Sequence, residues 1–426
     1  MTANSKNYAD VWKEISWKSM EKTLSILQYR IYKATKNNDV ARVKQLQRLL
    51  IYSKASKFLA VKKVTQLNTG KRTPDRNTTT IISTKKLLEI VNSIRVHSSK
   101  KDDTFREINT YRSIKDMEPP EIYSLKNKAL QYILKYALEP MYEAKASIGS
   151  YGCRPGKNAH DAQCSIIANI KNKSSVVFKR VLKVDVEKCF DKIKYSRFSN
   201  LIILPSFAMK VLKETLKIEV FRERNKLSES IQRYGIISSL VINIVLHGLE
   251  DIHNEQKKTN VTLQKGIRYI NDLIFFLKEN ESSEDLLQKV KTFLAERGLN
   301  VKNSQSKILK TTEGFDFLDW TFKVKSKSGN HICYPSLKSR KNLIEDIKKI
   351  MITSRFKLRD RFNKARFIYK NWYNHHRYCN LSNMNLWSIK HWSYRYILKQ
   401  SSLPKKHLKD DINLSKLFCI KGTNIN

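Results

Sequence analysis

Apolar residues recur at spacings of three and four through residues 8–65: Trp12, Ile15, Met20, Leu24, Leu27 and Ile31, then Val43, Leu46, Leu49 and Leu50. That period puts them on one helical face, and the polar break Asn37-Asn38-Asp39 divides the stretch into two predicted helices. A loop rich in Thr, Asn and Arg follows at Thr69-Gly70-Lys71-Arg72-Thr73-Pro74-Asp75-Arg76-Asn77. Farther on, Val181-Leu182-Lys183-Val184-Asp185 reads as a strand ending in a carboxylate. Tyr269-Ile270-Asn271-Asp272, between Arg268 and the apolar run Leu273-Ile274-Phe275-Phe276, reads as two short strands joined at an acidic tip. From about Pro335 the helical pattern returns. Leu343, Ile347, Ile350, Phe356, Phe362 and Phe367 are interleaved there with Lys338, Arg340, Lys341, Lys348, Lys349, Arg355, Lys357, Arg359, Arg361, Lys364, Arg366 and Lys370, which predicts amphipathic helices with a basic face. No internal repeat or long low-complexity segment is evident.

Charge adds a partner to this picture. Lys and Arg number 82 against 39 Asp and Glu, a net charge of +43, and the pI is about 9.9. So basic a chain repels itself unless a polyanion neutralises it, which makes nucleic acid the first partner to consider. The hydrophobic fraction of 41% still allows a real core, and 426 residues suit about two to four structural units. Tyr369-Lys370-Asn371-Trp372-Tyr373-Asn374-His375-His376-Arg377-Tyr378 alternates cations with aromatics, as surfaces that stack single-stranded RNA do. Taken singly, Trp372, Trp387 and Trp392 are expected in the core, because large aromatics bury their faces. His375 and His376 lack Cys or acidic partners at ligand spacing and read as surface or RNA-contacting residues.

The six cysteines, at 153, 164, 189, 333, 379 and 419, form no C-x-x-C pair and no zinc spacing, and they read as reduced core thiols. No run of about 20 apolar residues occurs, which excludes a membrane-spanning helix. Asp10 and Glu14 in the first predicted helix are unlike an Arg-rich, acid-poor transit peptide, so synthesis inside any organelle of residence is expected. The heavy use of Lys, Asn and Ile fits an AT-rich genome.

The strand at Asp185 and the hairpin at Asn271-Asp272 resemble motifs A and C of a reverse transcriptase. Other segments narrow the resemblance to the group II intron reverse transcriptase/maturase family. Leu27-Gln28-Tyr29-Arg30-Ile31-Tyr32-Lys33-Ala34 and the segment Leu59 to Lys71 resemble its N-terminal extension, and Ala137-Leu138-Glu139-Pro140 its "ALEP" segment. Ser150-Tyr151-Gly152-Cys153-Arg154-Pro155-Gly156-Lys157 resembles "SYGFRPG", and Gly314-Phe315-Asp316-Phe317-Leu318-Asp319-Trp320 resembles "GFDFLG". Residues from about Tyr8 to Lys399 are covered. The resemblance implies an α+β, right-hand polymerase fold: a helical extension with basic loop at 1–80, fingers at 81–180, a palm at 181–335, and a helical basic thumb or maturase X domain at 336–426. No Cys/His endonuclease domain is expected after the thumb.

By the same resemblance, Asp185 and Asp272 are the residual catalytic and magnesium-binding carboxylates, while Asn271 stands where the first Asp of the "YADD" turn belongs. An amide oxygen can ligate magnesium but brings no charge, so stabilisation is lost where charge develops in the transition state. A loss of about 4 kcal/mol corresponds to roughly a thousandfold in rate. Aligned to the fingers motif, Glu118 falls where an Arg would hold the triphosphate, with Lys115 and, in motif D, Lys307 as vestigial nucleotide contacts. In motif B, Gln232-Arg233-Tyr234-Gly235 replaces "PQGG". Asp191 and Glu187 are expected to cap or solvate a helix. RNA contacts are expected at Lys62, Lys63, Lys71, Arg72, Arg76, Arg355, Lys357, Arg359, Arg361, Lys364, Arg366, Lys370, Tyr373, His376 and Arg377. The resulting expectation is a splicing maturase, without polymerase chemistry, that binds group II or related intron RNA. The Mg2+ accompanies the RNA, no membrane is a partner, and the location is a plastid, with mitochondrion or bacterial cytoplasm as alternatives. An active RNA-directed DNA polymerase for intron mobility and a general basic RNA chaperone are the competing readings.

Overall fold

The computed structural model describes Trp12 and residues 14–67, 83–94, 120–171, 180–186, 199–213, 236–253, 265–302, 306–325, 330–352 and 358–381. The N-terminal part contains α1 (Trp17–Lys36), α2 (Val40–Tyr52) and α3 (Lys54–Lys62), the last continuing into a π-helical turn at Lys63–Leu67. The predicted break is present, with Asn38 at φ 56° and Asp39 capping α2 through the amide of Arg42. The second predicted helix is divided, however. Ser53 takes an extended conformation, ψ 141°, and its hydroxyl accepts from the Ser56 amide to start α3. A serine cap inside an otherwise continuous apolar period is why two helices were expected and three are found. After α4 (Thr84–Ser93), the long α5 (Pro120–Lys145) brings Ile133, Leu134, Ala137, Leu138 and Met141 into one core with Leu24, Ile31, Val43, Leu46 and Leu50. Gln47, fully buried on α2, donates to the carbonyls of Ala137 at 3.2 Å and Ile203 at 2.9 Å, tying this helical layer to the next.

α6 (Ala159–Ile170) starts with a capping box in which Asn158 and Asp161 satisfy each other's backbone. There follow β1 (Arg180–Asp185), α7 (Ser238–Val245), β2 (Gly266–Tyr269), β3 (Asp272–Leu277), α8 (Ser283–Glu296) and β4 (Lys307–Lys310). The strands form an antiparallel sheet in the order β2-β3-β1-β4. Successive side chains of a strand point to opposite faces. Leu182, Val184, Leu273 and Phe275 accordingly enter the helical core, while Val181, Ile274 and Phe276 enter a second core with Ala162, Ile166, Phe315, Phe317, Trp320 and Phe322. Burial on both faces explains why β3 is apolar from Leu273 to Leu277 instead of alternating, and why β1 carries apolar residues on both of its faces, Val181 on one and Leu182 and Val184 on the other.

The second core is closed by a three-stranded sheet, β5 (Phe315–Phe317), β6 (Trp320–Val324) and β7 (His331–Pro335). Its first turn is Leu318-Asp319, both at positive φ, 50° and 69°, the pattern of a two-residue hairpin turn that matches strand twist. Two helices end the described chain, α9 (Leu337–Ile352) and α10 (Leu358–His375). No helix among the described residues is long and apolar enough to cross a membrane.

Candidate functional site

The antiparallel register sets Asp185, the last residue of β1, directly opposite Asp272, the first of β3. Such partners hold their Cβ atoms about 4.5–5.5 Å apart, so two residues 87 positions apart in sequence share one end of the sheet. Tyr269 pairs with Asp272, which leaves Ile270 and Asn271 as a two-residue tip. Lys307 is exposed on β4, opposite Lys183 and thus one side-chain repeat from Asp185.

Ile270 has φ 59°, a value that β-branched residues avoid and that costs about 1–3 kcal/mol. Two neighbours hold it. The Arg268 guanidinium donates to the Ile270 carbonyl at 3.0 Å. Gly152 lies against the tip so closely that an added Cβ would stand 2.6 Å from both the Ile270 amide nitrogen and its Cγ1. Gly152 is itself fixed, since its carbonyl accepts from Asn243 Nδ2 at 2.7 Å. The segment carrying it adds to the β2 edge, with the Tyr151 amide donating to Arg268 O and the Arg268 amide to Gly149 O.

Arg268 organises the base of the hairpin. It is 0% exposed, and its guanidinium donates to both carboxylate oxygens of Glu250, to Asn243 Oδ1, to Ser150 Oγ and to the Tyr142 hydroxyl at 2.8–3.2 Å. Burial disfavours its charge, but Glu250 beside it, with the Tyr142 hydroxyl, more than compensates and holds it protonated above the ordinary arginine range. Partners from α5, the Ser150 segment, α7 and the turn at Leu249–Asp251 thus meet at one cation. Nearby, Arg154 pairs with Glu143 at 2.8 Å and donates to the Ser147 and Ser150 carbonyls. Burial lifts the Tyr269 hydroxyl above its ordinary value. Sequence reading named Arg268 only as a flank. Its signal, an arginine inside an otherwise apolar strand, has meaning only once Glu250 is known to be buried beside it.

The donor set at the tip is two carboxylates and one amide. Two magnesium ions bring four positive charges against at most two negative ones from Asp185, Asn271 and Asp272, so these three residues are short of charge for a two-ion centre. Among the described residues no group of three His, Cys, Asp or Glu could hold a metal ion.

The expected RNA contacts separate into two groups. Lys62 lies over the Trp17 ring at 4.2 Å, and the exposed Lys63 is 5.4 Å from the Tyr132 ring centroid. On α10 and the turn after it, Arg366, Lys370 and Arg377 are exposed, while Lys364 and Tyr373 are half-buried. Arg377 stacks over Tyr378 at 4.5 Å, a cation–aromatic pair at the surface. Arg361 donates to the Met351 carbonyl and so ties α10 to the end of α9. Lys71, Arg72, Arg76, Lys115, Arg355 and Lys357 lie outside the described residues, as do Glu118, Glu187, Asp191, Gln232, Tyr234, Trp387 and Trp392, and of Arg359 only the helical backbone is described.

His376 needs correction. It is 1% exposed, stacks on Trp372, donates from Nδ1 to the Trp372 carbonyl at 2.8 Å, and turns Nε2 toward Ser339 and the Asp319 carbonyl. It anchors the end of α10 to the β5–β6 turn and presents no surface to RNA. Its neighbour His375 stacks on the buried Trp320 at 4.4 Å and reaches the Leu318 carbonyl at 3.0 Å. The expected core thiols are also corrected, since Cys153 and Cys164 are exposed and, of the described cysteines, Cys333 alone is buried. An aromatic or thiol in a mixed polar run has no periodic pattern from which to read burial.

A family profile described as the N-terminal domain of reverse transcriptase matches residues 12–94, and one described as reverse transcriptase (RNA-dependent DNA polymerase) matches residues 100–322, more than half of the chain. Over 376 residues the chain is 25% identical to Maturase-like protein 1 of Euglena gracilis, spanning 87% of this chain and 78% of that one. Its counterpart in Euglena longa is 25% identical over 416 residues, 96% of this chain and 86% of the relative. A shorter match, 30% over 141 residues, joins 31% of this chain to 16% of an uncharacterized 91 kDa protein in a cob intron of Schizosaccharomyces pombe. Both profiles fall in chain order, and the two carboxylate strands and the Ser150-Tyr151-Gly152 segment meet at one sheet end as reverse transcriptase motifs do, so the chain belongs to the reverse transcriptase family, in its group II intron reverse transcriptase/maturase branch.

Proposed function

We propose that this protein is a splicing maturase. It binds the RNA of a group II or related intron and stabilises the RNA's active fold, with the polymerase scaffold kept as architecture. The observation that carries the reading is Asn271 at the hairpin tip of a chain whose net charge is +43: the position that a polymerase fills with a carboxylate is neutral, while the polyanion-binding charge is large. The names of the two Euglena relatives support it. Lys62 and Lys63 on one side, and Arg366, Lys370 and Arg377 on the other, neutralise phosphates at two places on the RNA, which lowers the repulsion between RNA segments that must pack together. The Mg2+ of splicing is held by the RNA. The work is done in the organelle that encodes the protein, a plastid by preference over a mitochondrion.

A second reading rests on the preserved register of Asp185 with Asp272, which is the arrangement an active RNA-directed DNA polymerase for intron mobility would use. Primer extension on an RNA template with magnesium and dNTPs, comparing the protein with its Asn271→Asp variant, separates the two. The maturase reading predicts no extension by the protein itself and accelerated intron splicing at low magnesium. Extension by the protein at a rate near that of Asn271→Asp would establish the polymerase instead.

A further inference from the structure

Cys333 on β7 and Cys379, just beyond α10, face each other with their sulfurs 3.6 Å apart, joined as a thiol–thiol hydrogen bond. The Gln163 side-chain amide on α6 lies against both, 3.2 Å from Cys333 Sγ and 3.6 Å from Cys379 Sγ. The backbone is pinned at the same point, because the Asn380 amide donates to the Cys333 carbonyl at 2.7 Å. Both cysteines are free thiols, Cys333 6% exposed and Cys379 half-buried. Beside them opens a cavity of about 680 Å³ in which Cys333 is a wall residue together with the cationic groups Lys325 and Arg340, the imidazole of His331 and the rings of Tyr334 and Tyr378. Among the described residues no carboxylate lines it.

A thiol on the wall of a cation-lined cavity, with a second thiol in contact behind it, is suited to one kind of reaction. We propose that Cys333 and Cys379 form a site of reversible oxidation, becoming a disulfide by exchange with a small anionic disulfide that enters this cavity. The Cys333 thiolate attacks one sulfur of the small disulfide, forming a mixed disulfide and releasing one small thiolate. The Cys379 thiolate then attacks Cys333 Sγ, closes the protein disulfide and expels the second small thiolate. The two protein thiols give up two electrons and two protons, and the small disulfide leaves as two thiols. The hydrogen bond from Cys379, aided by Gln163, holds the Cys333 thiol below its ordinary value, while the same contact and burial push Cys379 up, which sets the order of attack. Closing the bond brings the sulfurs together by about 1.5 Å. It ties the end of the thumb helices to the palm's three-stranded sheet. The site is independent of whether the protein acts as maturase or polymerase.

The test exposes the full-length protein to glutathione disulfide, which is anionic, and in parallel to cystamine, which is cationic, and maps each cysteine by peptide mass spectrometry over time. The expected product is a Cys333–Cys379 cross-link lacking two hydrogens. It should form several-fold faster with glutathione disulfide than with cystamine, and by a larger ratio than the exposed Cys153 and Cys164, which report the general attraction of a basic chain for anions. Cys379→Ser should trap glutathione on Cys333, and Arg340→Glu should reduce the anion preference at Cys333 while leaving Cys153 unchanged. Cys333 and Cys379 remaining thiols while Cys153 is modified, or an anion preference at Cys333 no greater than at Cys153, overturns the proposal on the unaltered protein, whatever the variants do.

Discussion

Arg268 puts a full positive charge at zero exposure, with Glu250 equally buried as its counter-charge. Such a pair contributes little net stability when intact, but removing one partner leaves a buried charge uncompensated, at about 3–5 kcal/mol. Arg268→Met is therefore expected to lower the urea midpoint strongly. The double variant Arg268→Met with Glu250→Met should recover a large part of that loss; equal midpoints for the single and double variants would show that the pair is not coupled. Asp185 and Asp272 were legible in the sequence because each ends a strand whose apolar run fixes its register. Arg268 was not, because its partners Tyr142, Ser150, Asn243 and Glu250 lie 18 to 126 positions away and no local pattern announces them. Gly152 was readable only as a motif letter, and its reason, the backbone of Ile270 at 2.6 Å, is a fact of packing.

Helix periodicity was the legible part at the scale of elements, and the error at Ser53 shows the limit, because a single serine hydroxyl decides between one long helix and two. The attachment of α10 to the β5–β6 turn was hidden, since the residues that make it, His375 and His376, sit in a run that also suits a surface. That attachment has a pH signature. Burial holds His376 below the ordinary imidazole value of about 6.5, so the unfolded chain takes up this proton first as the pH falls. The stability it contributes is fully present above about pH 6.5 and is lost as the pH drops through its lower, folded-state value. His247 and His331, both lowered by burial, act in the same direction. The melting temperature is accordingly expected to fall between pH 7.5 and 5.5, and His376→Gln should flatten part of that fall. An unchanged slope in this variant would move the effect to the other two histidines.

At the scale of the whole molecule the sequence revealed most: charge, order of motifs and the sheet end where they meet. Lys71, Arg72 and Arg76, expected on one basic loop, fall outside the described residues, and there the sequence pattern stands alone. If roughly six to ten phosphates are neutralised, log Kd for intron RNA should rise with log salt at a slope of about 4 to 7. Arg366→Glu combined with Lys370→Glu should lower that slope by about 1 to 2, as a filter-binding series across salt would show. An unchanged slope would take α10 out of the interface. The strand order adds a consequence for synthesis. Among the described residues β1 has no sheet neighbour until residue 272 has left the ribosome, a wait on the order of ten seconds at ordinary translation rates. Throughout it, a strand apolar on both faces stands unpaired on the nascent chain. Overexpression that outruns chaperone capacity is thus expected to fail at Val181–Val184.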